Sequence, residues 1–488
     1  MSSRGERLSV IAERVGGRLV GEGDPVVLDA THDSRQVGAG SAFIAIRGMT
    51  SDGHDFIDRA IELGASAVVS EEPREARVPF LVVPDTRAVM AQVAAAVHGD
   101  PSHELSVVGI TGTNGKTSVA FILESILQSA GVPTGMIGTI LTRVGDDQIP
   151  TLRTTPEATD FQRLLRVMAD RGAKAVVAEV SSHALRLGRV RETRFSAVAF
   201  TNLSQDHLDF HADMEDYFSA KAELFGGDYS SRGVICIDDA YGRRLTNDTE
   251  IGVLTVSMGA DADITATIED RSLAGTRIEL HLPDGVGRPL ELPLIGDFNI
   301  RNALVAAGCA WELGLSSEEI VVGLGRAQAA PGRFEVVSGD APLRVIVDYA
   351  HTPGGISTVI ETVRSVTPGR VVVVFGAGGD RDRSKRPLMG LAASAADVVF
   401  VTSDNPRSEN PDAIIADVVS GIDGVEVHRI ADRRQAIESA ILGAADDDVV
   451  LVLGKGHERS QEIGDRVMPF DDRVVARAAI ERRRGRSR

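Results

Sequence analysis

The run Val371-Val372-Val373-Val374-Phe375 contains no polar position. A strand with one solvated face alternates apolar and polar residues, so a run of this kind has to be covered on both sides. Four further β-rich runs lie in the same part of the chain: Val345 to Tyr349, Val398 to Thr402, Val425 to Ile430 and Val449 to Leu453. Helical periods separate most of them. Val-rich strands alternating with helices specify a parallel sheet with helices on both faces. Polar residues gather after these strands and not before them, as Ala350-His351-Thr352, Gly378-Gly379-Asp380-Arg381, Asp404-Asn405-Pro406-Arg407 and Gly454-Lys455-Gly456-His457-Glu458. Any one cluster reads equally well as an ordinary loop. Four in register point to a ligand site, because open α/β sheets bind ligands at the carboxyl ends of their strands.

A second α/β pattern lies upstream, with strands expected at Ser106 to Thr111, Ala175 to Val180 and Ser196 to Leu203. The first of these runs into Gly109-Ile110-Thr111-Gly112-Thr113-Asn114-Gly115-Lys116-Thr117-Ser118, which opens a helix. Glycines there let backbone N–H groups close on phosphate oxygens. Lys116 adds a point charge, the Thr117 hydroxyl can reach Mg²⁺, and the helix N-terminus adds the positive end of its dipole. The general phosphate-loop pattern places glycine where this chain has Ile110, with Gly109 one residue out of register. The helix is expected to run to about Ala130 and to stop at Gly131, with Pro133 beyond.

Strand-like runs at Arg18-Leu19-Val20, Ser41 to Ile46 and Ala67-Val68-Val69 make the first hundred residues a block of their own. Turn-rich joints at His98 to Ser102 and near Pro331-Gly332-Arg333 suggest three domains, 1–101, 102–335 and 336–488.

One lysine is out of place. Asp213 can cap a helix through Met214 to Phe225, on which Tyr217, Phe218, Leu224 and Phe225 share a face. Lys221 lies in the middle of that face. Its stem could lie on the apolar surface while its amine reaches out to water. Alternatively, a desolvated lysine gives up its proton, and the neutral amine can add CO₂ to become a carbamate, an anion able to hold Mg²⁺. Glu179, at a strand end before Ser181-Ser182-His183, and His207, in the loop Asn202 to His211, could complete such a metal set.

The acidic balance, with 52 Lys and Arg against 70 Asp and Glu and a net charge of −18, argues against nucleic acid as a partner. The cysteines, Cys236 and Cys309, sit in apolar runs and read as buried thiols of a reducing compartment. No apolar stretch is long enough to span a bilayer, and Met1 to Arg7 lacks the apolar core of a signal peptide, so a cytoplasmic protein with no membrane insertion is expected. The basic end, Glu481 to Arg488, reads as a solvated, frayed tail.

These residues together resemble the Mur ligase family. The resemblance is carried by Thr111-Gly112-Thr113-Asn114-Gly115-Lys116-Thr117, by Tyr217-Phe218-x-x-Lys221, by Gly296-Asp297-Phe298-Asn299-Ile300-Arg301-Asn302 and by Asp348-Tyr349-Ala350-His351. It covers nearly the whole chain. It implies a small N-terminal α/β domain for the UDP substrate, a central phosphate-loop ATPase domain with a mostly parallel sheet, and a C-terminal Rossmann-like domain for the amino acid. It also implies an ATP-dependent, ADP-forming amide ligase acting on UDP-N-acetylmuramoyl-L-alanyl-D-glutamate through an acyl phosphate, expected to be a monomer.

By this resemblance ATP lies on Gly112 to Ser118 with Asn299, Arg333 and Asp348. Mg²⁺ lies on Thr117, Glu179, His207 and Lys221 as N6-carboxylysine, and Lys116, Glu179, His207 and Lys221 are the catalytic set. His32, Ser34, Met49, Thr50 and Ser51 hold the uridine end, and Thr154, Thr155, Ser181 and Arg189 hold the muramoyl dipeptide. Leu187 departs from the pattern, standing where some relatives have glutamine. Asp348, Tyr349 and His351 would hold the third domain in its closed pose. The segment Asp404-Asn405-Pro406-Arg407, with Arg381, Gly454 and Glu458, implies meso-diaminopimelate as the amino acid, since an arginine fork reads its distal carboxylate. An L-lysine-adding ligase is the nearest alternative. A folate polyglutamate ligase fits the first hundred residues and the Asn405-Pro406-Arg407 segment poorly. A nucleotide switch without ligase activity would leave the third domain without a task, and no Asn-Lys-x-Asp guanine-reading segment occurs.

Overall fold

The computed structural model describes residues 5–48, 51–149, 151, 153–259, 261–339 and 341–486; Met49 and Thr50 of the expected uridine-side set lie outside the described residues. The chain forms two compact units. The first runs through Ala266 and includes Leu280–Arg288 and Arg301–Arg326, and the second holds Thr267–Glu279, Pro289–Ile300 and the chain from Ala327 onward. The architecture is α/β with mostly parallel sheets.

The first unit opens with a five-stranded sheet in the order Arg18–Val20, Phe80–Val82, Ala67–Ser70, Ser41–Ile44, Asp29–Thr31. All its pairings are parallel except the one made by Arg18–Val20. The helices Leu8–Val15 and Thr86–Val97 cover one face, and Ile57–Glu62 the other. Asp85 caps the second helix by accepting a hydrogen bond from Ala88 N. This layer packs on the next one in the same unit: Ala158 joins its core, and Arg163 donates to Asp29 Oδ1 at 3.0 Å and to the Ala30 carbonyl at 2.9 Å.

Within the larger sheet that follows, six strands run parallel in the order Thr134–Ile137, Ala175–Glu179, Ser106–Thr111, Ala197–Phe200, Arg232–Cys236, Gly252–Ser257. The phosphate-loop strand is central, with Glu179 in register with Ile110 and Phe200 with Thr111. Three strand ends therefore meet at one point. The helix Lys116–Ser129 stops as its sequence requires, with Gly131 at φ +72° and Val132 N returning to the Leu127 carbonyl. The strand expected over Ser196 to Leu203 is shorter, Ala197–Phe200. Thr201 and Asn202 leave the ladder because they brace the loop: Thr201 Oγ1 donates to Asn114 O at 2.6 Å, and Asn114 N donates to Asn202 Oδ1 at 3.0 Å. The expectation also passes over the strands from Gly252 to Leu292. Their half-exposed patterns offer no continuous apolar run to read.

The second unit's main sheet has the order Glu335–Val336, Arg344–Asp348, Val449–Leu453, Val371–Phe375, Val398–Val401, Glu426–Arg429, parallel except at the first pair. The unbroken valine run works as its composition demands. Val371, Val373 and Phe375 enter one core beneath Pro353–Arg364, Lys385–Ala393 and Pro411–Val419, while Val372 and Val374 enter the other beneath Arg433–Gly443 and Asp472–Arg486. The described part of the basic tail, through residue 486, is helical. It is the last turns of the helix Asp472–Arg486, where Arg482 pairs with Glu438 and Arg483 Nη1 donates to the Ile441 carbonyl at 3.1 Å. An arginine-rich end becomes helical because the preceding helix offers it carbonyls and a carboxylate.

A fully buried ion pair ties this unit together. Arg433 donates to Asp472 at 2.6 and 2.8 Å, with both side chains at 0% exposure. It also donates to the Leu453 carbonyl at 2.9 Å and lies 3.4 Å from the Ser403 carbonyl. Breaking such a pair from one side leaves a buried charge unpaired. Asp472→Asn is therefore expected to cost about 3–5 kcal/mol, read as a lowered urea midpoint. The double variant Arg433→Met/Asp472→Leu should recover only part of this, because the two strand-end carbonyls lose their donor. Full recovery would show that those carbonyl contacts contribute nothing.

Candidate active site

The phosphate loop is shaped by two glycines. Gly112 and Gly115 adopt φ of +141° and +89°, and a Cβ on them would strike Thr201 Oγ1 and Asn302 Oδ1 respectively. Side chains of neighbouring strand and helix thus press on the loop from outside and close it around its own amides. Thr113 N donates to the Asn202 carbonyl at 2.8 Å, and Thr113 Oγ1 lies 3.2 Å from Tyr217 Oη. Lys116 Nζ donates to the Gly112 and Thr113 carbonyls at 2.8 and 2.9 Å, so its ammonium sits within the loop mouth. Asn114 is exposed and Ser118 half-buried.

Thr117, on the first helical turn, donates to Glu179 Oε2 at 2.9 Å. Glu179 ends the adjacent strand and is buried. Thr139 anchors the same carboxylate, its hydroxyl donating to Oε2 and its amide to Oε1, each at 2.8 Å. The Thr139 hydroxyl is also 3.0 Å from Thr154 Oγ1. Thr155 Oγ1 donates to the Glu179 carbonyl at 2.8 Å and accepts from Ser181 N at 3.1 Å, and Arg189 donates to the Thr155 carbonyl at 3.1 Å. The structure therefore joins Thr117, Glu179, Thr154, Thr155, Ser181 and Arg189 into one polar network. A hydroxyl and a carboxylate in contact are the hard oxygen donors that Mg²⁺ prefers.

Lys221 is 1% exposed and does not reach water, which removes the snorkelling alternative. Its Nζ donates to the Gly112 carbonyl at 2.9 Å and lies 4.6 Å from the centre of the Tyr217 ring. Two lysines thus share one carbonyl oxygen. Burial, and then the nearby charge of Lys116, push the Lys221 amine well below the ordinary lysine range, toward its neutral, nucleophilic form. As an unmodified amine it offers a cation nothing. Among the described residues, no three His, Cys, Asp or Glu side chains form a metal set.

His207 caps a group of rings. It is 5.0 Å from His183, which stacks on Phe210 at 3.9 Å, and 6.1 Å from Tyr217. It is exposed and adopts φ of +53°. Despite that exposure, desolvation of the ring where it packs on its neighbours lowers it below the usual histidine range, while burial and the flanking His207 and His211 push His183 down to about 4. Both shifts favour the neutral imidazole.

On the N-terminal layer, His32 Nδ1 lies 2.8 Å from Thr159 Oγ1, Ser34 begins the short turn Ser34–Gln36, and the Ser51 carbonyl accepts from Gly48 N. Sequence reading missed Glu157, which is buried and takes Arg153 at 2.6 Å, Arg189 at 2.9 Å and Arg87 at 3.7 Å. Three guanidinium groups on one carboxylate leave a local excess of positive charge around Glu157, suited to an anionic group.

In the second unit, Arg333 stacks on the Tyr349 ring at 4.3 Å, and Tyr349 is 4.7 Å from His351 and 5.0 Å from His457. Asp348 accepts from Phe334 N and Ala350 N, each at 2.7 Å; burial raises it despite the opposing charge of Arg333. Asn299 is buried and donates to the Ile295 carbonyl at 2.9 Å.

The loops after three parallel strands of that unit converge. Arg407, at φ +51°, donates from Nη1 to the Gly379 carbonyl at 2.6 Å and from Nε to Glu462 at 3.0 Å. Asn405 donates to Glu458 Oε2 at 3.0 Å, and Gly379 N donates to the Asn405 carbonyl at 2.9 Å. Pro406 is buried and Arg381 exposed, and Gly454 packs near the Asp404 carboxylate. Asp404 is raised by burial, against the charges of Arg433 and Lys455. The seven expected pocket residues share one loop cluster. Two that support them had no role assigned from sequence: Lys455, named there only as part of its glycine-flanked cluster, and Glu462, on the hairpin of Ser460–Ile463 and Arg466–Pro469.

An open groove of about 1680 Å³ in the first unit lies elsewhere, lined by Leu105, Ser106, Lys174, Ser196 and Arg232 at the amino ends of the parallel strands. Ligands of such sheets bind at the other edge.

Three family models match the chain in series: the Mur ligase family catalytic domain over residues 30–98, the Mur ligase middle domain over 110–310 and the Mur ligase glutamate ligase domain over 332–456. The UDP-N-acetylmuramoyl-L-alanyl-D-glutamate–2,6-diaminopimelate ligase of Geobacillus thermodenitrificans is 43% identical over 490 residues, covering 98% of this chain and 100% of that protein. The Streptomyces coelicolor protein of the same name is 42% identical over 98% of this chain and 97% of its own, and that of Gloeobacter violaceus 46% identical over 93% and 94%. A solved structure of a ligase of that name superposes with a TM-score of 0.70 at 35% identity, covering 94% of this chain and 96% of the other. Matches over nearly the full length, on a fold whose strand ends carry the phosphate loop and its partners, establish that the chain belongs to the Mur ligase family.

Proposed function

We propose that this chain is an ATP-dependent acid–amino-acid ligase of cytoplasmic peptidoglycan precursor synthesis. It adds meso-2,6-diaminopimelate to the D-glutamate γ-carboxylate of UDP-N-acetylmuramoyl-L-alanyl-D-glutamate, forming ADP and phosphate. The observation that carries the choice of amino acid is Arg407, fixed edge-on by Gly379 and Glu462 in the loop cluster that also holds Glu458. A guanidinium meets the distal carboxylate of diaminopimelate, and a carboxylate meets its ammonium. The relatives' names agree with this reading. A cytoplasmic setting is supported by Cys236 and Cys309, both buried and unpaired. No helix among the described residues is long and apolar enough to cross a membrane. The three functional segments would be 1–101, 102–335 and 336–488.

In the first step a γ-carboxylate oxygen attacks the terminal phosphorus of ATP, the bond to ADP breaks, and an acyl phosphate forms. In the second, the amine of diaminopimelate attacks the acyl carbon, the bond to phosphate breaks, and the amine gives up a proton. Neither step needs a covalent protein group; positioning and charge neutralisation suffice. Lys116 would turn from its own loop carbonyls to the outer phosphates, and the amides from Gly112 to Ser118 would cradle them. Asn299, Arg333 and Asp348 would hold the nucleotide. His32, Ser34 and Ser51, with Met49 and Thr50, would hold the uridine end, and Thr154, Thr155, Ser181 and Arg189 the muramoyl dipeptide. Arg381, Asp404, Asn405, Pro406, Arg407, Gly454 and Glu458 would form the amino-acid pocket. Thr117 and Glu179 would hold Mg²⁺, which supplies charge neutralisation at the phosphates when bound. A second Mg²⁺ fits only if Lys221 is carboxylated, with His207 beside it.

Lys221→Ala should lower turnover by at least about 100-fold, and acetate should restore part of it by standing in for the carbamate. An alanine variant with full activity would remove the carbamate from the mechanism. Arg407→Ala should raise the KM for diaminopimelate by about 10- to 100-fold with little change in that for ATP. Equal effects on both would count against carboxylate reading. ADP release with UDP-muramoyl dipeptide and either diaminopimelate or L-lysine separates the two amino-acid readings; faster turnover of lysine would reverse the assignment.

A further inference from the structure

Lys455 has no role in the chemistry described so far, yet it is among the most deeply buried charges in the chain. Its side chain is 0% exposed, and its Nζ donates to Asn405 Oδ1 and to Glu458 Oε2, each at 2.9 Å. Asn405 Nδ2 donates to the same Glu458 oxygen at 3.0 Å, closing a triangle. Gly454 and Gly456 on either side take φ of +112° and +52°, and a Cβ on Gly456 would come within 2.7 Å of Tyr349 Cβ. The backbone turns sharply on both sides of Lys455 and leaves its side chain directed inward. Hiding an ammonium from water is costly unless it is paired and hydrogen-bonded. A stabilising salt bridge could have been made more cheaply at the surface.

The consequence for Glu458 is specific. Both donors bind Oε2, so Oε1 stays open. Glu458 is a third exposed, and thus accessible on one side. We propose that Lys455 is a positioning residue for the amino-acid substrate: with Asn405 it holds one oxygen of Glu458 so that the other, in ionised form, meets the distal ammonium of the incoming diamino acid. This rests on reading the loop cluster as the amino-acid pocket. The assignment makes discrimination between ammonium-bearing and uncharged side chains depend on a residue that never touches the substrate.

The electrostatics around Glu458 fit this role. Burial alone would raise its acid; the charge and hydrogen bond of Lys455, the bond from Asn405 and the nearby His457 outweigh burial and hold it below the ordinary glutamate range. The other groups acting on this acid or acted on by it are Asp404, Arg433 and Tyr349. Asp404 and Tyr349 are both raised by burial, and Arg433 is committed to Asp472. A folded-state acid below its usual value stays charged until the pH falls through that lowered value. Removing Lys455 would raise it, so Glu458 would lose its charge at a higher pH.

The test is initial-rate kinetics on the full-length chain across pH, for wild type, Lys455→Met, Lys455→Arg, Glu458→Gln and Lys455→Met/Glu458→Gln. Lys455→Met should raise the KM for diaminopimelate on the order of 10- to 100-fold and leave that for ATP within about two-fold, since the phosphate loop makes no use of Lys455. The acid limb of kcat/KM for diaminopimelate should move up by about one pH unit. The double variant should be little worse than Glu458→Gln alone, because the role assigned to Lys455, with its partner Asn405, is to hold that carboxylate. An unmoved acid limb, additive losses, or equal effects on ATP and amino acid would overturn the proposal. If Lys455→Met does not fold, Lys455→Arg decides. Its bulkier fork keeps the charge but displaces Glu458, so the KM for diaminopimelate should rise with the acid limb in place, and a KM equal to wild type overturns the proposal. If the wild-type chain turns over a different amino acid, the functional reading falls separately, and the same series run with that amino acid still decides what Lys455 does.

Discussion

A strand covered on both faces can carry polar chemistry only at its ends. That constraint places the phosphate loop, Glu179 and the loop cluster of the second unit. The phosphate-loop strand Ser106–Thr111 is buried along almost its whole length between two others, and its function begins where its hydrogen-bond ladder stops. Glu179 ends the strand on one side, while Thr201 and Asn202 leave the strand on the other. The second unit repeats the arrangement. Its valine strands supply the two cores, and the loops after Val371–Phe375, Val398–Val401 and Val449–Leu453 supply Gly379, then Asn405 and Arg407, then Lys455 and Glu458.

Within that frame the decisive local events concern buried charge. Lys221 and Lys116 share the Gly112 carbonyl, and only one of the two can comfortably keep its proton. Lys116 is half-buried and also donates to the Thr113 carbonyl. Lys221, under Tyr217 and almost wholly buried, is the one that yields. In the second unit the balance is struck differently: Arg433 and Asp472 neutralise each other beneath the strand ends, and Lys455 is neutralised by Glu458. A depressed amine suits covalent modification, whereas a compensated one suits rigid support.

What the residues disclosed in advance follows from the same distinction. Strand runs such as Val371–Phe375 and Val449–Leu453 were legible because burial on both faces leaves no choice of residue. The helix around Lys221 was legible because a charge on an apolar face is conspicuous. Thr139, Thr201, Glu157 and Glu462 were not. Each is an ordinary loop or turn residue by type, and its importance comes from what tertiary packing brings against it. Glu157 draws its arginines from positions 87, 153 and 189. Lys455 was hidden for another reason: two flanking glycines suggest a flexible loop, whereas here they enforce a tight one. The basic tail misled for the reverse reason, since its helix depends on partners at Glu438 and Ile441 that lie far from it in sequence.

Non-glycine residues in the left-handed region are few among those described, and His207, Asp380 and Arg407 are three of them, at φ +53°, +52° and +51°. Side chains at such angles strain the backbone by about 1–2 kcal/mol relative to glycine. At position 407 glycine would be the easier residue to fold, and it could keep the backbone bonds that the Arg407 N–H and carbonyl make with the hairpin at Glu462 and Gly464. A lineage drifting toward greater stability therefore has a downhill route that erases the guanidinium while leaving the loop intact. Arginine at this position carries a backbone cost that glycine would not, and only the contacts of its guanidinium with Gly379 and Glu462, or with a ligand, can offset it.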